Sequence, residues 1–130
     1  MGLNNAIPAR DDGYQNVIFL RKNFVFGDSG SVLTVGTVPA GAIILKPLSG
    51  VNVETAFNAG TNNFLDVGTS ANDDLYATDL ALGTLGFVPL DENVSYKVTA
   101  DTTIIATPAL SGTAATTGAG TVVIAFIPDN

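Results

Sequence analysis

The sequence has no cysteine, no histidine and no tryptophan among its 130 residues. Without cysteine, the fold cannot be held by disulfides or by thiolate metal sites. Without histidine and cysteine, it also lacks the side chains that most often act as general bases and activated nucleophiles. The motif G-x-S-x-G and the glycine-rich phosphate loops do not occur with their flanking strand and helix. The sequence therefore predicts that the protein is not an enzyme and uses no cofactor.

Positive charge is scarce as well. Five lysine and arginine residues stand against twelve acidic residues, which gives a formal net charge of -7 at pH 7. Such a chain repels a phosphate backbone. No stretch reaches the roughly 18 uninterrupted apolar residues of a membrane span, and the N-terminus lacks the basic-then-apolar layout of a signal peptide. We expect neither nucleic-acid nor membrane partners, and synthesis in the cytoplasm.

Apolar residues, in contrast, are abundant. They make up 46% of the sequence, while charged residues make up 13%. The mean hydropathy of +0.36 is high for a small soluble monomer, which indicates apolar surface that other subunits cover. We therefore predict an oligomer.

The first sixteen residues differ from the rest, because their apolar residues follow neither a helical nor a strand period. We predict an extended arm over residues 1–16, followed by a single β-sandwich domain over residues 17–130. An extended arm of this length reaches on the order of 50 Å, which is enough to lie across a neighbouring subunit; a frayed terminus is the alternative. The candidate interface residues of the arm are Leu3, Ile7, Pro8, Arg10 and Tyr14.

Short β-rich segments separated by turn residues dominate the remainder, and no segment has the pattern of an amphipathic helix. The fold class is therefore all-β: a β-sandwich or jelly roll of about eight short strands. Between Ala42 and Phe57, Pro47 and Ser49-Gly50 predict a bend, at which the chain could pass from one sheet to the other. The predicted strands are Val17–Phe26, Ser31–Val35, Ala42–Leu48, Val51–Phe57, Phe64–Val67, Val94–Thr99, Thr102–Thr107 (ended by Pro108) and Thr121–Ile127.

Three segments are predicted less simply. Leu75–Leu82 fits a strand, a helical turn or an ordered loop. Gly83–Asn93 is expected to be a connection. Ala109–Gly120, with its small and polar residues, is expected to be a mobile loop or an exposed turn.

The stretch Asn63–Leu82 concentrates four acids, Asp66, Asp73, Asp74 and Asp79. Oxygen-rich loops can bind calcium, but the spacing does not match the EF-hand pattern. We favour the alternative, in which these residues initiate turns and keep the loop solvated, and predict no metal site.

The basic pair Arg21-Lys22 interrupts the apolar run of the first strand. Such a pair typically protects an edge strand against aggregation. Contact with an acidic partner is the other interpretation.

Three segments, TVPAGAIIL at Thr37–Leu45, TAFNAGTNNFLDVGTS at Thr55–Ser70 and ATDLAL at Ala77–Leu82, resemble small structural proteins of tailed bacteriophages. The resemblance implies a capsid decoration, or cement, protein. Such a protein sits in the virion on the exterior of the phage head as a homotrimer, contacts the major capsid protein and grips it with a terminal arm. Another virion component, such as a head–tail connector, tail or head-fibre protein, is the first alternative, and a module that binds host glycans is the second. These families bind through surfaces, so no functional residue is carried over.

Overall fold

The computed structural model describes residues 16–129, whose regular secondary structure is almost entirely β-strand. Two short 3-10 turns, Phe26–Asp28 and Lys46–Leu48, interrupt the strands. No helix in this described part is long and apolar enough to cross a membrane. The strands are β1 (Ile18–Val25), β2 (Leu33–Val38), β3 (Ile43–Ile44), β4 (Gly50–Thr55), β5 (Asn62–Gly68), β6 (Ala77–Ala81), β7 (Gly86–Pro89), β8 (Thr102–Ser111) and β9 (Ala119–Ile127).

The strands form two antiparallel sheets with the orders β1-β9-β4-β7 and β2-β8-β5-β6, and β3 pairs with β9 in the first sheet. Strands from the two ends of the chain pair in turn: β1 with β9, β2 with β8, β4 with β7 and β5 with β6. A long hairpin rolled up on itself gives this order, which is that of a jelly roll. Because β3 and β4 lie along the same partner, they count as one interrupted strand, and the predicted all-β fold of about eight strands is confirmed.

The core lies between the two sheets and is built from alternate residues of each strand. Ile44, Leu65, Ile104 and Ile124 are fully or almost fully buried in it. The rings of Phe24 and Phe57 stack at one end of the sandwich, with centroids 5.4 Å apart.

The bend predicted near Pro47 is present, but the chain does not change sheet there. Ile43 pairs with Ile127, and Gly50 pairs with Val123, so both halves lie beside β9. The buried Ser49 spans the interruption: its Oγ donates a hydrogen bond to the Leu45 carbonyl at 2.8 Å and accepts one from the Ala125 N–H at 2.9 Å. The expected crossing between sheets is wrong, because this hydroxyl continues the ladder in place of the backbone.

The predicted strand Val94–Thr99 is also wrong. Only Lys97 forms an isolated bridge, to Ile43. Tyr96 and Val98 do point toward the core, which explains the alternating pattern. However, their backbone partner is the two-residue β3, which is too short to support a longer ladder.

The expected connection Gly83–Asn93 contains a strand, β7, which the turn residues around it concealed. The segment Leu75–Leu82, whose pattern fits a strand, a helical turn or an ordered loop, contributes the strand β6.

Strand β8 continues through Pro108, which was expected to end it. Pro108 pairs with Leu65 of β5, and its carbonyl accepts a hydrogen bond from the Gly30 N–H at 2.8 Å. The N–H and C=O of one strand residue point to the same side, so the missing N–H faces Gly30 rather than the β5 ladder. Proline is tolerated here because β2 begins only at Leu33, opposite Ala106.

We predict that Ser49→Ala lowers the free energy of unfolding by about 1–3 kcal/mol, because the buried Ala125 N–H loses its acceptor. Urea denaturation followed by circular dichroism measures the change. Ser31→Ala, at an exposed position, is the matched control. A loss for Ser49→Ala within about 0.5 kcal/mol of this control would contradict the proposed role of the hydroxyl.

Candidate interaction surface

The outer face of the β1-β9-β4-β7 sheet is rich in exposed apolar side chains. Successive strand residues point to opposite faces, so the registers identify the outward positions. Phe19 pairs with Ala125, Arg21 with Val123, and Asn52 with Phe87. Phe19 is 58% exposed, Val25 49%, Phe87 44% and Ile43 41%. We use the term "apolar face" for the surface formed by the outward residues Phe19, Val25, Ile43, Phe87, Val123 and Ile127.

A polar group lies near the middle of this surface. The Thr121 hydroxyl is 2.9 Å from Asn23 Oδ1 and 3.0 Å from Glu54 Oε1. A hydroxyl carries one proton, so it donates to one of the two acceptors, and the charged carboxylate is the stronger. Thr121 is buried, whereas Asn23 and Glu54 are exposed. The contact therefore fixes the Glu54 side chain against the sheet while leaving it accessible.

The outer face of the second sheet is polar instead. Thr37 of β2 and Thr103 of β8 pair and approach through their hydroxyls at 3.2 Å. Asp66 of β5 lies on the same face, where its carboxylate accepts the Asp79 N–H at 2.8 Å. One side of the sandwich is thus suited to water and the other to contact with protein.

The four acids of the stretch Asn63–Leu82 belong to one hairpin, in which β5 and β6 flank a loop. Burial raises the pKa of Asp66 above its ordinary value of 3.8; the hydrogen bond from Asp79 opposes this, and the negative charges of Asp79, Asp73 and Asp74 add to it. Asp79 itself adopts a left-handed backbone with φ of 55°. Within residues 16–129, no group of three or more acids is arranged to hold a metal ion. The acids therefore crowd one another rather than converge on a ligand.

One end of the sandwich has a cleft of about 330 Å³ between the loops that follow β1, β4 and β8, and its lining includes Phe26, Ala59 and Leu110. The loop after β8, expected to be a mobile loop or an exposed turn, is mostly exposed, and hydrogen bonds connect it to the loop after β4. The Asn58 carboxamide accepts the N–H groups of Thr116 and Thr117 at 2.8 and 3.1 Å. The small residues of this loop allow close contact between chain segments, as Gly118 does with Phe57.

The candidate interface residues of the arm, Leu3, Ile7, Pro8, Arg10 and Tyr14, lie outside the described residues. Among the described positions, Arg21 and Lys22 are on β1, an edge strand of its sheet, as predicted.

The sequence indicated surplus apolar surface but did not locate it. The signal was present in β1, where Phe19 alternates with the inward Leu20, and in the short apolar run around Phe87, which was assigned to a connection.

Two solved structures are similar to the chain in fold. The capsid asymmetric unit of cyanophage Pam1 contains a chain that matches with a TM-score of 0.65 and 21% identity, over 88% of this chain and 86% of that one. The acidic stable capsid of Helicobacter pylori bacteriophage KHP30 gives a TM-score of 0.60 and 15% identity, over 87% and 89%. No protein-family model matches the sequence, and no curated protein matches it. The fold is therefore one that also occurs in bacteriophage capsid structures.

We predict that Asp66→Asn stabilises the protein at pH 7 by a few tenths of a kcal/mol, after allowance for solvent screening. A raised pKa means that the carboxyl stabilises the fold fully below pH 3.8, and that this contribution is lost as the pH rises through the raised value. Asparagine removes the charge and keeps an oxygen to accept the Asp79 N–H. Thermal melting at pH 7 should show the gain, and melting near pH 3.5 should show it shrinking.

Asp101→Asn is the matched control, because Asp101 also accepts a backbone N–H, that of Ala40 at 2.9 Å. The control separates loss of one negative charge from relief of crowding at Asp66. A lower melting temperature for Asp66→Asn than for the wild type at pH 7 would show that the crowded carboxylate is stabilising.

Proposed function

We propose that this protein is a structural component of a bacteriophage virion, and specifically a decoration protein that stabilises the exterior of the head. The observation that carries this proposal is the apolar face, an exposed sheet surface with three aliphatic or aromatic side chains that are each more than 40% exposed on β1 and β7 alone. A surface of this kind is typical of a protein that works through contact with other proteins. The likeness in fold to chains of two phage capsid structures supports the same setting.

The proposed partners are the major capsid protein and further copies of this chain in a homotrimer. The sequence resemblance suggests the trimer, and the mean hydropathy of +0.36 supports association. The net charge of -7 favours a position outside the shell, away from packaged DNA. The arm over residues 1–16 is proposed to lie on a neighbouring capsid subunit.

We predict that the purified protein binds saturably to expanded capsids assembled without it and raises the temperature at which they break open. Subunits that bridge neighbours add contacts that must be lost before the shell opens, so stabilisation follows by mass action. Co-sedimentation measures binding. Capsid stability is measured on heating, as the rise in fluorescence of a DNA-binding dye when DNA leaves the opened capsid.

Unexpanded precursor capsids are a useful comparison, because preference for the expanded form would identify late addition to the head. Failure to bind either form would refute the decoration role. Saturation at a few copies per particle would instead support a connector or fibre position.

We predict further that deletion of residues 1–16 weakens capsid binding by about tenfold or more, because the apolar contacts of the arm are lost. The deletion spares the nine strands found in residues 16–129, so the melting temperature of the isolated protein should change little. The full-length variant with Leu3→Ser and Ile7→Ser tests the apolar contacts without shortening the chain. Unchanged affinity for both variants would show that the arm does not take part in attachment.

A further inference from the structure

The strands that form the apolar face carry two outward charges of opposite sign. Arg21 lies on β1, at one edge of the sheet, and Glu54 lies on β4, toward the other edge. Both side chains are exposed. Lys22, the remaining charged residue in these strands, alternates to the other side of β1, opposite Val122 of the core. The face as a whole is therefore neutral, although the chain is strongly acidic.

Each half of the face also presents an exposed phenylalanine. The β1 half has Phe19 and Arg21, and the half formed by β4 and β7 has Glu54 and Phe87. The two halves thus each present one exposed phenylalanine and one charge, and the two charges are opposite in sign. A half of one copy matches the opposite half of another copy, whereas it does not match the second sheet, whose outer face carries Asp66 and Asp79.

The size of the surface agrees with self-association. Four strands spaced about 4.8 Å apart and a central strand of nine residues at about 3.3 Å each give a face of roughly 19 by 30 Å. That area, on the order of 600 Å², is close to the roughly 800 Å² that each partner buries in a standard stable interface. A single small patch would not suffice, but the whole face does.

We propose that the apolar face binds the same face of a second copy of this chain about a two-fold axis, with the β1 half of each copy against the β4–β7 half of the other. Arg21 of each copy lies beside Glu54 of the other, and Phe19 and Phe87 pack at the contact. Such a contact is isologous: it uses the same surface on both copies and closes as a pair. This inference rests on the self-association part of the proposed function and names a surface through which two copies pair.

The mass of the full-length protein in solution tests the contact, measured by size-exclusion chromatography with light scattering at about 10 µM. The wild type should elute with the mass of at least two copies. Phe19→Asp and Phe87→Asp should each elute at half the wild-type mass, because each places a charge in the contact. Ala109→Asp is the matched control: it adds the same charge at an exposed position on the outer face of the second sheet and should leave the oligomer intact.

Charge exchange gives a second test that does not depend on burying a new carboxylate. Arg21→Glu and Glu54→Arg should each weaken association by about tenfold or more, since like charges then face each other. The double variant Arg21→Glu, Glu54→Arg should recover to within about threefold of the wild type. Circular dichroism and melting of every variant show whether the sandwich is folded.

A monomeric wild type would overturn the inference, as would folded Phe19 and Phe87 variants that keep the wild-type mass or a double exchange that fails to restore association. These outcomes are distinct from failure of the decoration role. An oligomer that depends on Arg21 and Glu54 but does not bind capsids would support this contact and refute the proposed function. A protein that binds capsids as a monomer would do the reverse.

Discussion

The structure depends on the pairing of β9 with the strands on both of its sides. β1 lies along one side over its whole length, and β4 with β3 lies along the other. This strand joins the beginning, the middle and the last described part of the chain into one sheet. Val122, Ile124 and Phe126 of this strand fill the core, while Val123 and Ile127 point outward on the same side as the polar Thr121. A strand with one solvated face normally alternates between apolar and polar residues, so β9 already has the composition of a strand covered on both sides.

Much of the fold follows from local sequence, because strands with both a good pattern and a long partner were predicted. β1, β4, β5 and β9 fall within or close to the predicted segments. The predictions are wrong where the available partner strand, and not the apolar pattern of the segment, determines whether a strand forms. Val94–Thr99 alternates well but has only β3 beside it, and β7 is a strand because β4 offers an edge. The β-propensity of one segment does not indicate how long a partner strand the fold places beside it.

The surface was harder to predict than the fold for a related reason. The four acids between Asp66 and Asp79 are the most conspicuous candidate site in the sequence. In the structure they lie close to one another and shape the turns of one hairpin. The apolar face becomes visible only when β1, β9 and β7 are placed side by side, because Phe19 and Phe87 lie far apart along the chain. Composition could show that apolar surface was in excess, whereas its position required the topology.

The place of β9 also bears on how the protein is made. β1 is synthesised early but pairs only with β9, almost the whole described chain later. Until then, an apolar strand with exposed backbone groups has no partner, and other copies of the same nascent strand are available to it. Arg21 and Lys22 place two like charges in the middle of this waiting segment, and such charges oppose pairing between identical strands. The basic pair is thus placed where it opposes pairing between identical strands before β9 is available.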